Sequence, residues 1–351
     1  RCDGHAGIFL QGGDDPLVIS VETSHFATIA RNLGRFHQRR AFPANLSTET
    51  VRLVWYYTDM KKPGSANSSN ELRGDYTHAA QDYAVPQDHG AYTDAEHDRW
   101  RRLYERQVGL ARKHAARAFL DGLERLDCAD GIPDFEQASA VLSEATGWRI
   151  VAVPGFIPDE IFFDHLANRR FPVTRWIREE HELDYLVEPD VFHDFFGHVP
   201  MLLDPIFADF MAAYGAAGER ARAMDAVPML ARIYWYTVEF GLIREKGEIR
   251  AYGAGIVSSA GETVFSTTDP DVLRVGFDPV RIMRTAYAID SFQSTYFVID
   301  DLSQLITGLV DLDFGPIYER YRETDPLPAD RPQDGDTLIQ LTDLREDATH
   351  D

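Results

Sequence analysis

The sequence has few cysteines and no long apolar run, and each absence limits what the protein can be. Only Cys2 and Cys128 occur among its 351 residues, which excludes a disulfide framework and a zinc cluster built from thiolates. Its apolar stretches fall short of the roughly 18 residues that a membrane-spanning helix requires. Because no charged-then-apolar signal segment opens the chain, we expect a soluble, cytoplasmic protein without a membrane partner.

Basic residues are outnumbered by acidic ones. The 35 lysines and arginines face 57 aspartates and glutamates, which gives a formal net charge of −22. A surface of this sign repels phosphate, so nucleic acid is excluded as a general partner. Residues 1–59 contain no lysine, and their six arginines balance six acidic residues. The whole net charge therefore belongs to residues 60–351.

Residues 1–85 are expected to form a poorly ordered N-terminal extension. Met60 is followed by a polar run over residues 61–70, which is typical of a disordered terminus. Two interpretations of residues 1–59 stay open: upstream sequence translated ahead of a native start at Met60, or a genuine extension. We expect a catalytic domain over residues 86–323, and a C-terminal tail or loosely attached strap over residues 324–351, where Pro and Asp dominate.

Helix signals become legible after residue 92. Hydrophobic residues make up 44% and aromatic residues 12% of the chain, enough for a sizeable core. Thr93 and Glu96 fit a capping box, and an apolar stripe from Trp100 to Leu123 predicts one long amphipathic helix. Three further helix starts are predicted from Asp or Pro at the first positions: Pro133-Asp134, Pro158-Asp159 and Asp204-Pro205.

The rest of the pattern indicates a helical body. Helices are predicted over residues 229–243, 282–288 and 300–309, and a hairpin or irregular extended stretch over residues 249–265. The sequence contains no internal repeat and no βαβ alternation with a Gly-rich phosphate loop. We therefore predict a mainly α fold, a single catalytic domain of packed helices with a small β-hairpin region, flanked by irregular tails.

Two histidines lie in an unusually apolar segment. His193 and His198 are surrounded by Val, Phe and Gly between Glu188 and Pro200, where polar groups need partners. On an ideal helix a spacing of five separates them by about 140°, so the backbone must deform if both are to bind one ion. Gly197 and Pro200 are residues at which a helix loosens or ends.

Glu239 is the best candidate for a third ligand. It shares a predicted helix face with Trp235 and Tyr236, and a carboxylate on an apolar face is costly without a cation or donors. Two histidines and one carboxylate suit a non-haem Fe(II) with open positions for O₂. A zinc hydrolase uses the same ligand types, and a buried His–Glu ion pair needs no metal, so both alternatives stay open.

Several motifs together resemble the pterin-dependent aromatic amino acid hydroxylases. They are residues 188–200, the Tyr-Trp-Tyr-Thr-Val-Glu-Phe-Gly run at 234–241, and residues 251–262. Residues 166–172 and Leu186-Val187 are most similar to bacterial members, the phenylalanine 4-monooxygenases. The resemblance covers roughly residues 90–320 and implies the catalytic fold of that family.

The resemblance assigns roles at the metal and the cofactor. His193, His198 and Glu239 would bind Fe(II), and Glu188 would lie near the iron-bound water and the pterin. A tetrahydropterin would stack on Phe162. Its pyrimidine edge would meet the backbone around three residues: Gly155, Phe156 and Ile157.

The resemblance also assigns a substrate pocket. Arg178 would receive the substrate carboxylate, with Ser258 near the substrate and the iron, and Trp235 and Phe240 would line an aromatic pocket. Glu188, Trp235 and Ser258 would form the catalytic group. Without the resemblance, a surface ion pair of Arg178 with Glu179 or Glu180 stays open as an alternative. Animal members have Thr-Pro where this chain has Leu186-Val187, so contacts made by that threonine cannot be transferred.

The function implied is hydroxylation of L-phenylalanine to L-tyrosine by O₂ and a reduced pterin. The same fold acting on tryptophan or tyrosine is an alternative, as are a zinc hydrolase and a non-catalytic binding protein that retains the fold. No match to the family's tetramerisation helix is found, which favours a monomer.

Overall fold

The computed structural model describes the backbone of Ala6–Leu10 and Leu17–Val21, and residues 73–184, 186, 188–288, 291–309 and 313–342. The chain divides into two units, Arg1–Lys61 and Lys62–Asp351. In the first unit, strands β1 (Ala6–Leu10) and β2 (Leu17–Val21) pair antiparallel. The suggested start at Met60 and most of the predicted 1–85 extension lie outside the described residues.

The second unit is mainly helical, as predicted. Its α-helices are α1 (Asp94–His114), α2 (Arg117–Leu126), α3 (Phe135–Thr146), α4 (Asp159–Ala167), α5 (Pro205–Ala223), α6 (Val227–Tyr234), α7 (Ala254–Val257), α8 (Ala260–Thr268), α9 (Pro279–Met283), α10 (Ser303–Leu309) and α11 (Phe314–Tyr321). Short 3₁₀ turns cover His89–Ala91, Glu180–Glu182 and Val199–Leu203, and π-helical turns cover Phe192–His198 and Trp235–Glu239. In the described part of the chain, no helix is long and apolar enough to cross a membrane.

The described residues of the second unit also form two small sheets. Strands β3 (Arg149–Val153) and β4 (Arg170–Thr174) are joined by α4 in the sequence and pair with each other in parallel. The other sheet has the order β6-β5-β8-β7, with strands β5 (Leu242–Glu245), β6 (Glu248–Ala251), β7 (Leu273–Gly276) and β8 (Thr295–Ile299). β5 runs antiparallel to β6, and β8 runs parallel to both β5 and β7.

The predicted helix starts are confirmed, and all have side-chain caps except α4, which follows Pro158. The Thr93 side chain accepts from the Glu96 N–H while the Glu96 carboxylate accepts from the Thr93 N–H, so the capping box is complete. Asp134 and Asp204 each accept two N–H groups of the first turn that follows. These side chains accept from N–H groups that have no partner within the helix. The helix starts could therefore be predicted from a few neighbouring residues.

The predicted single long helix is wrong at Ala115 and Ala116, where the backbone is extended and separates α1 from α2. The Ala116 N–H donates to the Ala251 carbonyl at the end of β6, 2.8 Å away. At the break, a helical hydrogen bond is replaced by a bond to a residue 135 positions later in the sequence. The spacing of apolar residues could not predict this partner.

The hairpin also lies earlier than predicted. β5 and β6 form it over residues 242–251, with Lys246 and Gly247 both at positive φ (50° and 72°), as a two-residue hairpin turn requires. Residues 254–265, predicted as part of a hairpin or irregular extended stretch, instead lie in α7, in α8 and in the two-residue link between them. The predicted 229–243 helix ends at Glu239, because the chain enters the sheet at Leu242.

Residues 324–342 run along the sheet and the loop that follows α9. The Gly276 N–H donates to the Thr337 carbonyl (2.8 Å), and the Leu327 carbonyl accepts from the Ala286 N–H (2.8 Å). Arg281 of α9 forms an ion pair with Asp336, Nε to Oδ1 2.9 Å, and the two side chains are only 7% and 4% exposed. The segment that the sequence assigns to a tail thus contributes a buried charge pair.

Replacing Asp336 by Ala should lower the free energy of unfolding by about 3–5 kcal/mol, because the buried Arg281 charge loses its partner. Asp330→Ala is the matched control, since its pair with Arg331 is about two-thirds exposed and should change stability by under about 1 kcal/mol. Urea unfolding of the two variants measures the difference. Equal effects would contradict a structural role for the Arg281–Asp336 pair.

Candidate active site

Both segments that carry predicted metal ligands are π-helical. His193 and His198 lie in Phe192–His198, and Glu239 ends Trp235–Glu239. The second turn is closed by the Phe240 N–H, which donates to the Trp235 carbonyl five residues back (2.9 Å). Since i→i+5 bonding brings residues five apart onto one side of the helix, the predicted backbone deformation between the histidines is confirmed.

The three predicted ligands converge in the structure. His198 Nε2 lies 3.2 Å from Glu239 Oε1, and His193 Nε2 lies 3.6 Å from Glu239 Oε2. The two imidazole rings are nearly perpendicular, with centroids 5.2 Å apart. Two ring nitrogens and a carboxylate thus face a common point, as binding a single cation requires.

The packing of the first π-helical turn fixes these donors. Phe192 and Phe196 stack on one another with centroids 4.8 Å apart, and Trp100 of α1 meets Phe192 edge-on at 5.2 Å. On the other side Gly197 lies against α7, where an added Cβ would stand 3.0 Å from the Cβ of Ala254. The turn is therefore held from two sides by buried contacts.

Ser258 sets the tautomer of His193. Its hydroxyl donates to the Ala254 carbonyl (2.7 Å), so the hydroxyl oxygen accepts from Nδ1 of His193 (2.9 Å). With the proton on Nδ1, the lone pair of Nε2 points to Glu239. Orienting partners of this kind accompany metal-binding histidines.

The protonation states suit a cation. Burial lowers the pKa of the His193 imidazole, which favours its neutral form. Burial alone would raise the pKa of the Glu239 carboxyl, but His198, His193 and the backbone N–H of Gly255 outweigh it and leave this pKa below its usual value. A neutral imidazole and an ionised carboxylate are the forms that bind metals.

Asp194 lies closer to this centre than its position after His193 suggested. One of its carboxylate oxygens is within 4.8 Å of nitrogens of both His193 and His198. Its Oδ2 also accepts from the Thr174 N–H at 2.8 Å, and burial raises its pKa. The sequence analysis did not assign Asp194 to the site.

Arg178 is buried, and its partner is Asp190 rather than Glu179 or Glu180. Nε and Nη2 of Arg178 each donate to the Asp190 carboxylate at 2.9 Å, and the Arg178 backbone N–H adds a third bond at 2.8 Å. Asp190 also accepts from the His193 backbone N–H (3.0 Å). One carboxylate thus connects the expected substrate anchor to the first metal donor, a role that the sequence analysis missed.

Trp235 and Phe240 belong to a cluster of three aromatic rings. The Trp235 ring lies 4.9 Å from Phe240 and stacks on Tyr287 at 4.5 Å and 26°. Its Nε1 donates to Oε1 of the buried Gln293 (3.2 Å), whose Nε2 donates to the Ala288 carbonyl (2.7 Å). Tyr287 and Gln293 were not assigned from the sequence, because residues 282–288 were predicted as helix while α9 ends at Met283.

The residues expected to contact the pterin lie after β3 and on α4. Gly155 adjoins Glu188, since a Cβ added at Gly155 would stand 3.9 Å from Glu188 Oε2. Burial raises the pKa of Glu188, and its Oε2 is buried without a hydrogen-bond partner among the described residues. Phe162 of α4 meets Tyr234 edge-on at 5.5 Å. Phe156 and Ile157 continue the loop from Gly155.

Comparison with known proteins identifies the family of this chain. A family model described as biopterin-dependent aromatic amino acid hydroxylase matches residues 45–312. The phenylalanine-4-hydroxylase of Chromobacterium violaceum is 51% identical over 268 residues, which is 76% of this chain and 90% of that protein. That of Caulobacter vibrioides is 51% identical over 262 residues, 74% of this chain and 89% of the relative.

Solved structures match equally well. The iron- and phenylalanine-bound crystal structure of the Chromobacterium violaceum enzyme has a TM-score of 0.71 and 49% identity, covering 77% of this chain and 97% of that one. Its structure with bound oxidised Fe(III) has a TM-score of 0.73 and 52% identity, covering 75% and 96%. The chain belongs to the biopterin-dependent aromatic amino acid hydroxylases.

Proposed function

We propose that this chain hydroxylates L-phenylalanine to L-tyrosine with O₂ and a tetrahydropterin at a non-haem Fe(II). The observation that carries the proposal is the convergence of His193, His198 and Glu239 on one point. Identities near 50% to several bacterial phenylalanine-4-hydroxylases over most of the chain support the choice of substrate.

The donor set fits iron. It offers two imidazole nitrogens and one carboxylate, without cysteine, which is the pattern of Fe(II) sites that keep open positions. His193, His198 and Glu239 would hold the ion, with Ser258 orienting His193. When bound, the iron and the reduced pterin supply the oxygen chemistry and its electrons.

Arg178 would bind the carboxylate of the amino acid. Asp190 uses Nε and Nη2 of its guanidinium, so Nη1 is the nitrogen that Asp190 leaves unbound. A guanidinium stays charged at any physiological pH and forms strong bonds with carboxylates. Because Asp190 also accepts from the His193 backbone N–H, it would hold Arg178 at a fixed position relative to the metal donors.

The rings of Trp235, Phe240 and Tyr287 would enclose the side chain of the substrate. Aromatic pairs prefer offset or edge-on contacts at 4.5–7 Å, and a mostly apolar pocket with a single charged anchor suits an aromatic amino acid. Such walls also exclude water from the reacting ring.

Phe162 would stack on the pterin, and the backbone of Gly155, Phe156 and Ile157 would meet its pyrimidine edge. Glu188, beside this loop, would serve as the acidic group near the pterin, since its raised pKa allows it to hold a proton to higher pH than an exposed glutamate. A monomeric state and a cytoplasmic location stay predictions from the sequence, and analytical ultracentrifugation checks the first.

The wild-type protein with Fe(II), O₂ and tetrahydropterin should form tyrosine from phenylalanine, and omission of any one component should stop the reaction. His193→Ala and Glu239→Ala should lower turnover by more than about 100-fold. Mutation of a residue that only hydrogen-bonds to a metal ligand already lowers metal affinity or activity by about 10–100-fold, and loss of the ligand itself should cost more. Amino acid analysis measures the product, and circular dichroism checks that the variants fold.

The same assay separates the alternatives. Faster turnover of tyrosine or tryptophan would reassign the substrate within the family, which includes the tyrosine 3-monooxygenase of Rattus norvegicus, 37% identical over 226 residues. Full activity without added pterin, or with zinc in place of iron, would contradict the proposed function.

Ser258→Ala should weaken Fe(II) binding by about 10–100-fold, because His193 loses the partner that fixes its tautomer. Ser259→Ala is the matched control, since Ser259 caps α8 and leaves the bond between Ser258 and His193 in place. Competition with a chelator measures iron affinity in both variants. Equal iron affinity in Ser258→Ala and wild type would show that Ser258 does not orient the ligand.

A further inference from the structure

We propose that residues 73–76 clamp the loop at residues 154–157 and thereby position the pterin. The inference rests on the proposed function, because the loop matters only if a pterin binds against it. We call Arg73, Gly74 and Tyr76, together with Trp176, the pterin clamp. Its first three residues belong to the segment that the sequence analysis set aside as an extension.

Tyr76 bonds directly to the loop. Its hydroxyl donates to the Phe156 carbonyl at 3.0 Å, so the peptide between Phe156 and Ile157 has a fixed orientation. The contact is close, because a Cβ added at Gly155 would stand only 2.9 Å from the Tyr76 hydroxyl. Any shift of the tyrosine ring therefore moves the backbone that would meet the pterin.

Gly74 brings the two backbones into contact. A Cβ at this position would lie 2.0 Å from the Pro154 carbonyl oxygen and 2.6 Å from its carbon, which no side chain can occupy. The absence of a side chain at Gly74 thus lets the segment pass directly over the start of the loop.

Trp176 also bonds to the Pro154 carbonyl, and Arg73 packs against the Trp176 ring. Trp176 Nε1 donates to the Pro154 carbonyl at 3.0 Å, and the Arg73 guanidinium lies 4.4 Å from the centre of the Trp176 ring. Nη1 of Arg73 also pairs with Glu182 at 2.5 Å and Nη2 with Glu179 at 3.4 Å. A cation stacked on an indole and anchored by two carboxylates keeps the ring in place.

Glu188 links the clamp to the acidic group of the site. Burial raises the pKa of the Glu188 carboxyl, and the backbone N–H and guanidinium of Arg73 lie close enough to oppose that rise. A Cβ at Gly155 would approach the same carboxylate to 3.9 Å. The segment at 73–76 therefore contacts both elements expected to meet the pterin, the loop and Glu188. Trp235, which would help to enclose the phenylalanine, packs instead against Phe240 and Tyr287 and donates to Gln293.

This separation gives the clamp a distinctive signature. Loss of the Tyr76 hydroxyl should weaken binding of the pterin without affecting phenylalanine. A merely structural role would instead change the KM values of the pterin and of phenylalanine together.

The test compares Tyr76→Phe with wild type, using 7,8-dihydrobiopterin as a non-turnover probe. We expect its dissociation constant, measured by titration calorimetry, to rise about 3- to 10-fold, the loss typical of one neutral hydrogen bond. The KM for tetrahydropterin should rise in parallel, while the KM for phenylalanine stays unchanged and the urea unfolding midpoint falls only slightly, by the contribution of one hydrogen bond. Amide exchange within residues 154–157 should become faster.

Tyr83→Phe is the matched control. The Tyr83 ring packs edge-on against Tyr76 at 6.2 Å, and this substitution also removes one tyrosine hydroxyl but leaves the bond from Tyr76 to Phe156 in place. It should bind dihydrobiopterin like wild type. An unchanged dissociation constant in Tyr76→Phe, or a matching rise in the KM for phenylalanine, would overturn the clamp. Absence of pterin-dependent turnover in the wild type would instead overturn the proposed function.

Discussion

Asp190 is the group on which the geometry of the site depends. Its carboxylate has no exposed surface, and burial alone would raise its pKa, yet Arg178 and the backbone N–H groups of His193 and Arg178 keep that pKa below its usual value. The cost of removing the charges from water is offset only because every contact is well aligned. As a result the guanidinium and the start of the π-helical turn form a single rigid unit, and neither can move without the other.

The π-helical turns bring together side chains that an α-helix would hold apart. An α-helix turns the second histidine away from the first, whereas one additional residue per turn brings both to the same side. Such a turn is poorly stabilised by itself, and here the aromatic contacts of Phe192 and Phe196 and the close approach of Gly197 to α7 hold it. The second turn ends at Glu239, so irregular helix occurs where the donors converge, while regular helix around it provides the packing.

Features with local causes could be predicted from the sequence, and features with distant causes could not. The caps at Thr93, Asp134 and Asp204 need only a few neighbouring residues, and the histidine pair is recognisable by its apolar surroundings. The break at Ala115 and Ala116, the pairing of Arg178 with Asp190 and the stacking of Tyr287 on Trp235 all depend on partners remote or irregularly spaced in the chain. The resemblance to a family supplied roles for residues in known motifs, but not for Tyr76, which lies before them.

The aromatic wall depends on backbone that is synthesised after all three metal donors. Tyr287 follows a loop whose Ala286 N–H donates to the Leu327 carbonyl, while the Leu327 N–H donates to the Arg284 carbonyl. During translation, the ring cannot be fixed in place until residue 327 has left the ribosome, although every metal donor has emerged long before. The metal donors and the aromatic wall therefore become available at different stages of synthesis.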